Sequence, residues 1–392
     1  MSDANLSQIA KIAETTLGTT PATPELTKIR FTGEDLRNNK ETVQSQEIRD
    51  DRQIPDLTKV HTQPEGGYSF ELDYANFDQE WRGALGAATW NNVATSADDL
   101  AIDTTAQTIT DSDSGGIFAD VVAGALIQIE NAEDSGNNGL KRVVSVDAAG
   151  DVITLEAGSL TDDNTDDVAM TIKQQAIVNG ALKPSMTIEK KILNLNGADF
   201  FQTFLGMVVD TFSLNIESRQ IITGDVQFIG MTRATDADTI DDSGDYTEPT
   251  AASIMNGTSN IGSITVDGAT ATERFKSLTI EISNNLRGKD AMGVEGNFDI
   301  GTGTFTVTGT LMAYFLDNDF LDKIDANTSF ALEFAITDAD GNAYHIFLPN
   351  CKPANGDPSI EAINTDVMLD IEYQAIRDAT YGITMAVNKV AA

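Results

Sequence analysis

The sequence predicts an all-β protein with short flanking helices, built from a duplicated unit that carries a small inserted β domain. Three observations predict it. Apolar and polar residues alternate with period two along the best-patterned stretches, four elements recur in the same order in both halves, and the stretch between Asn91 and Gln175 follows neither rule.

The alternation is plain in three places. "YSFELDY" sets Tyr68, Phe70, Leu72 and Tyr74 against Ser69, Glu71 and Asp73. "GTFTVTGTLMAYF" sets Phe305, Val307, Leu311 and Ala313 against Thr304, Thr306, Thr308 and Thr310, and "TDVMLDIEYQA" sets Val367, Leu369, Ile371 and Tyr373 against Met368, Asp370, Glu372 and Gln374. Such alternation, with β-branched and aromatic residues, predicts half-buried antiparallel strands. Gly, Asn and Asp clusters such as "DADGN" (338–342) and "IGTGT" (300–304) supply the turns.

Helical spacing is confined to short pieces. "NLSQIAKIAE" (5–14) predicts a modest amphipathic helix, and "GADFFQTFLG" (197–206) a helix apolar enough to pack on a sheet. "NFDQEWRGAL" (76–85) and "DNDFLDKI" (317–324) each follow an alternating strand and open on Asn or Asp, which favour helix starts.

These last two pieces point to an internal repeat. "EIRDDR" (47–52) resembles "EISNNL" (281–286), and each precedes an alternating strand, a tyrosine (Tyr74, Tyr314) and a short helix with an aromatic anchor (Trp81, Phe320). "SMTIEKK" (185–191) then resembles "SFALEFA" (329–335), and the halves close on "GDVQFIG" (224–230) and "TDVMLDIEYQA" (365–375). The predicted organisation is an N-terminal arm (1–26), a discontinuous first unit (27–92 and 176–232), an inserted β domain (93–175), an acidic exposed linker (233–263) and a second unit (264–392). Removing the insertion makes the halves similar in length, and its own strands at "ALIQIEN", "KRVVSV" and "DVITLE" make it self-contained.

Composition excludes several functions. With 25 Lys+Arg against 61 Asp+Glu, the formal net charge is −36, so the chain cannot hold nucleic acid through its phosphates. One cysteine, Cys351, rules out an internal disulfide. No apolar run reaches membrane-span length, and "MSDANLSQIAKIAE" lacks the basic start and apolar block of a signal peptide, so synthesis and folding in a cytoplasm are expected. His61 and His345 lie outside any metal or nucleophile motif, and Cys351 in "LPNCKP" reads as a packed turn residue. "DADGN" is half a calcium loop whose twelfth position is Pro349 instead of a bidentate Glu, so it reads as a hairpin turn. "TDDNTDD" (161–167) reads as a solvated loop. No enzyme, cofactor or metal site is expected.

Three longer stretches carry a resemblance: "AETTLGTTPATPELTKIRFTGEDL" (13–36) with "SQEIRDDRQIPDLTKV" and "GYSFELDYANFDQEWRGALG", then "NGALKPSMTIEKKI", then "SLTIEISNNLRGKDAMG" through "GTFTVTGTLMAYFLDNDFL". Together they resemble the tail tube proteins (major tail proteins) of long-tailed, non-contractile bacteriophages. The resemblance implies a β-sandwich with a flanking helix, with six such folds joined edge to edge into an inner β-barrel and the rings stacked into a hollow tube. It also implies a virion protein, with a tape measure protein, tail terminator and tail tip proteins as partners, double-stranded DNA in transit and no membrane. An acidic β-rich extracellular surface or adhesin-type binding protein is the alternative reading.

The repeat adds a stoichiometry. Two folds per chain make a ring of three chains with pseudo-sixfold symmetry; a single fold per chain makes a hexamer. An acidic lumen repels the DNA backbone and leaves no deep binding well. The candidates for its lining are Glu71, Asp73, Asp370 and Glu372, with Thr306 and Thr308. "SQEIRDDRQIPDL" is expected to be a strand and arm that neighbouring subunits cover. Its Arg49, Asp50, Asp51 and Arg52 are expected at the interface, with Asn284 and Asn285 in the second half.

Overall fold

The computed structural model describes residues 4–161, 164–195, 197–236, 238–360 and 362–392. After a single 3-10 turn (Ala4–Leu6), the first half contains β1 (Ser7–Ala13), β2 (Thr27–Lys28), β3 (Gly33–Glu34), β4 (Arg37–Gln44), β5 (Leu57–Glu71) and helix α1 (Asp78–Ala84). Next come β6 (Asn91–Asp103), β7 (Thr108–Asp111), β8 (Leu126–Glu130), β9 (Gly139–Val146), β10 (Val152–Leu155) and β11 (Asn164–Val178). The first half resumes with β12 (Ser185–Leu195), β13 (Ala198–Glu217), β14 (Thr223–Ile229) and β15 (Thr232–Asp236). The second half contains β16 (Thr265–Val266), β17 (Ala269–Thr270), β18 (Phe275–Ser283), β19 (Arg287–Lys289), β20 (Asp299–Gly301), β21 (Thr306–Tyr314) and helix α2 (Asp319–Asp325). It ends with β22 (Phe330–Thr337), β23 (Ala343–Asn355), β24 (Pro358–Ser359), β25 (Met368–Ala375) and β26 (Ala386–Val390). The protein is all-β, and every named strand pairing is antiparallel.

Strand pairing in the second half reproduces that in the first. The first half runs β4–β5–β14–β13–β12–β1, and the second β18–β21–β25–β23–β22–β16. Even the irregularities match. The β12–β13 register slips between Met186 and Ile188, and the β22–β23 register slips between Phe330 and Leu332. The β13–β14 register slips between Val209 and Thr211, and the β23–β25 register between Pro353 and Asn355. A bulge re-aims a strand, so four bulges at matching places give the two halves the same bends. The halves join where the far end of β13 pairs with β18, from Thr211 opposite Ser283 to Glu217 opposite Ser277.

One large core underlies this sheet. Tyr68, Phe70, Phe212, Phe228, Ile280, Leu311, Ile371 and Tyr373 are buried in it, on alternating positions of their strands. Gly309 stands opposite Tyr373, and a Cβ there would fall 2.5 Å from the tyrosine hydroxyl and 2.1 Å from the Thr279 carbonyl. The glycine lets the ring lie across the strand, and its hydroxyl donates to that carbonyl at 3.0 Å. Helix α1 forms as expected and wedges between the halves, with Trp81 against Phe212 of the first half (4.5 Å) and Tyr344 of the second (6.1 Å). Helix α2 packs Phe320 on Phe330. Neither helix start carries a side-chain cap, so the expected Asn and Asp caps are not made. A second core holds Leu100, Ile109, Phe118, Ile127, Val143, Ile153 and Ile172, all from β6–β11 and the turns between them.

Several expectations are corrected. The predicted helix 5–14 is β1, paired along its length with β12. It is no free arm: the Lys11 ammonium is buried in an ion pair with Glu80, and Glu14 accepts from Ser185, Thr187 and the Gly18 and Gly206 amides. The predicted helix 197–206 is the first half of β13. The connection 233–263 is not a free linker: it opens within β15, buries Tyr246 and Met255, and its Asp241 accepts from the Leu26 amide. The stretch 47–52 is not a strand; it lies in the loop Ser45–Asp56 that joins β4 to β5. Register instead sets Glu281–Leu286 against Arg37–Thr42, because Glu281 faces Thr308 as Arg37 faces Glu65 on the matching strand. "DADGN" is the turn between β22 and β23. In "TDDNTDD", Asp162 and Asp163 lie outside the described residues, as do residues 1–3 of the N-terminus and Ala237 and Glu361.

Candidate functional site, an acidic sheet face between two open strand edges

The strands β4, β5, β14, β13, β18, β21, β25 and β23 form one eight-stranded ribbon. Its inner face supplies the main core. Its outer face is polar by the period-two rule. Thr308 and Gln374 are paired there, then Thr310 and Glu372, then Met312 and Asp370. Around Ser213, Asn215, Thr279, Glu281, Thr308 and Glu372 the face is hollowed into a groove.

Five of the six predicted lining residues meet on this face. Asp370, Glu372 and Thr308 are exposed, while Glu71 and Thr306 are half-buried. Asp73 is the correction. It lies beyond the end of β5, fully buried, where it accepts from Arg30 (2.9 Å), the Ala75 and Asn76 amides and the Asn76 side chain. Its job is to fix the entry to α1. Four acids of the face escaped sequence reading, and two of them, Glu65 and Glu217, are half-buried on it. Asp225, bonded by Ser69, and Glu281 are both exposed. Alternation in "GDVQFIG" and "SLTIEIS" carries the signal for both.

Each end of the ribbon is an open edge. Among the described residues no strand pairs with the outer edge of β3–β4, and β22 leaves β23 at Cys351, so residues 352–360 have a free side. Unpaired edges are pairing surfaces for another chain. The hairpin of β4 and β5 projects beyond the core and exposes Val43, Ile48, Ile54, Leu57 and Val60, Ile48 almost completely (99%). Such a concentration of exposed apolar side chains marks a contact surface.

The predicted interface residues separate into two groups. Arg49 to Arg52 lie at the exposed tip of this hairpin, where Arg49 grips Asp51 through paired bonds of 3.0 and 2.9 Å. That contact raises the guanidinium and lowers the carboxyl from their ordinary values. Asn284 instead works inside the chain: its amide donates to the carbonyls of Gly83, Ala84 and Val209, closing the C-terminal end of α1 at the junction of the halves. Asn285 is exposed beside it and donates to the Thr304 carbonyl.

The residues with reactive side chains are built into the sheet. Burial holds the His345 imidazole below its ordinary value, against the opposing pull of Glu333, and raises the Cys351 thiol well above its own. A thiol held protonated is a poor nucleophile.

The arrangement defines a class: a β-protein whose exposed polar sheet is flanked by two edges open to further strands. The chain belongs to the phage tail tube protein family, whose model matches residues 4–375 of its 392. It is thus a structural component of a virion, of a family that assembles into a multimeric tube. No curated protein matches the chain. No helix among the described residues is long and apolar enough to cross a membrane.

Proposed function

We propose that three copies of this chain close into a ring of six folds, and that stacked rings form the tail tube of a long-tailed, non-contractile phage. The observation that carries this reading is the eight-stranded ribbon, with its repeated pairing order and its two open edges. Three ribbons joined edge to edge leave no free lateral edge, and closure of this kind prevents unlimited lateral growth. Turned inward, the polar face lines the lumen with Glu71, Asp225, Glu281, Asp370 and Glu372 beside Thr306 and Thr308. These acids repel DNA phosphates at each level of the bore, so the genome slides without being gripped. The role is structural, with no catalytic step. Assembly takes place in the host cytoplasm around a tape measure protein, between terminator and tip proteins. Native mass spectrometry of dissociated rings tests the stoichiometry. A particle of three times 41.9 kDa is expected, and one of six times that mass overturns the two-fold reading.

The stretch 93–175 acts in this reading as a separate inserted domain between the two pieces of the first fold. Its separate core supports this. So does the way it leaves the parent fold: Asn92 of β6 stands opposite Gln175 of β11, so a tight turn can bridge the cut. It touches the second half through Arg142, which pairs with Glu333 and lies 3.5 Å over the Phe347 ring. Replacing Val93–Lys173 by a short Gly/Ser linker is expected to leave soluble protein that forms rings, seen by negative-stain microscopy. Loss of all soluble protein would place these residues in the essential core.

A further inference from the structure

The junction inside the chain is a template for the junction between chains. Resting on the ring reading above, we infer that the open edge of β23–β24 receives β3–β4 of a second copy in the register that β13 and β18 already show. Matching bulges and pairings fix the correspondence. Thr211 on β13 corresponds to Asn355, and Ser283 on β18 to Asn39. Within the chain Thr211 faces Ser283 and Ser213 faces Glu281. Between copies Asn355 therefore faces Asn39 of the next copy, and Asp357 faces its Arg37.

Four features of the open edges suit this register. Asp357 and Arg37 form an opposite-charge pair across the strands, which is favourable on a sheet face. Pro358 lacks an N–H, and its partner Leu36 has already given its own to the Glu34 carboxylate (2.9 Å), so neither side strands a donor. Lys40 takes the place of Asn284, which puts its ammonium at the C-terminal end of α2 near Ala326, beside the Lys352 ammonium that already donates to the Asn327 carbonyl (2.7 Å). A cation is favoured there, and Lys40 is exposed with no partner in its own chain among the described residues.

The fourth feature is the loop Ser45–Asp56. Its counterpart, the tip 290–298 between β19 and β20, is docked on the first half of the same chain. There Thr62 donates to the Glu295 carbonyl (3.0 Å), the Asn297 side chain donates to the Gly230 carbonyl (2.8 Å), and Lys59 pairs with Glu295. Behind it Lys183 and Lys289 both hold Asp299, well below the usual carboxylate range. Among the described residues no loop is bonded over the matching surface on the second half, at Phe305, Thr306 and Ile376, where Ile376 is exposed. The loop Ser45–Asp56 of the next copy fills it and buries Ile54.

Paired cysteines test the register. In the Asn39→Cys, Asn355→Cys protein, oxidation of assembled material is expected to convert the monomer band on a non-reducing denaturing gel into dimers and trimers, with no larger species. The Thr211→Cys, Ser283→Cys protein has the same geometry within one chain and reports that such a pair can close. The Asn39→Cys, Asp357→Cys protein, two residues out of register, should stay monomeric on the gel. Rings that form normally while the 39–355 pair stays reduced and the 211–283 pair closes would overturn the register and leave the tube reading standing. Protein that forms no ring at any concentration overturns both.

Discussion

Replacing Glu80 by Ala is expected to destabilise the fold by about 3–5 kcal/mol, because it strips the partner from a buried charge. The Lys11 side chain is 7% exposed and that of Glu80 fully buried, and the two are in contact. Without the carboxylate, the ammonium keeps only the Asn76 carbonyl at 3.2 Å, and the buried Tyr68 hydroxyl loses its acceptor. Burying an unpaired charge costs more than the pair itself contributes. The Lys11→Met, Glu80→Met double variant should therefore recover much of the loss. Urea unfolding of the three proteins measures this; equal midpoints for Glu80→Ala and the parent would show that the pair is solvated.

Excising Ser45–Asp56 and closing β4 to β5 with Asn-Gly is expected to leave the monomer intact and cripple assembly. Gln44 and Leu57 are already paired neighbours, so a two-residue turn can join them. The loop has little to lose in the chain, since Ile48 is 99% and Ile54 62% exposed. Its loss removes a seam contact of about 3 kcal/mol, counting two hydrogen bonds and one buried isoleucine. That is roughly a hundredfold rise in the concentration at half assembly. Light scattering against concentration, with a melting curve of the monomer, separates the two effects. Unchanged assembly would mean that the loop faces solvent in the ring.

Much of the fold was legible because the best-patterned ribbon strands have one wet face. Tyr68, Phe70 and Leu72 alternate with polar residues for that reason, as do Leu369, Ile371 and Tyr373. The two false helices fail by the same rule. In β1, Ile9, Ala10 and Lys11 are buried in succession: Ile9 in the main core, Ala10 against Leu26 and Tyr246, Lys11 against Glu80. A strand covered on both faces has no period to read. Phe201 and Phe204 of β13 are buried alike. The repeat was found by element order but misaligned by ten residues, since "EIRDDR" matches "EISNNL" in letters while Arg37–Thr42 matches it in register. Asp73 was lost to the same simplicity. Alternation put it on the outer face, but β5 ends two residues earlier and the chain turns.

The union of β13 with β18 inside one chain has a kinetic consequence. A ring made from six separate folds needs six bodies to meet, and its rate of nucleation rises with a high power of concentration. In the proposed ring of three chains, half of the junctions form as each chain folds, as unimolecular events at the high effective concentration of a tether. Only three bodies remain to be gathered, and each encounter avoided spares the translational and rotational entropy lost when two molecules become one. Completed rings therefore accumulate from more dilute protein, and fragments of the circle are correspondingly short-lived.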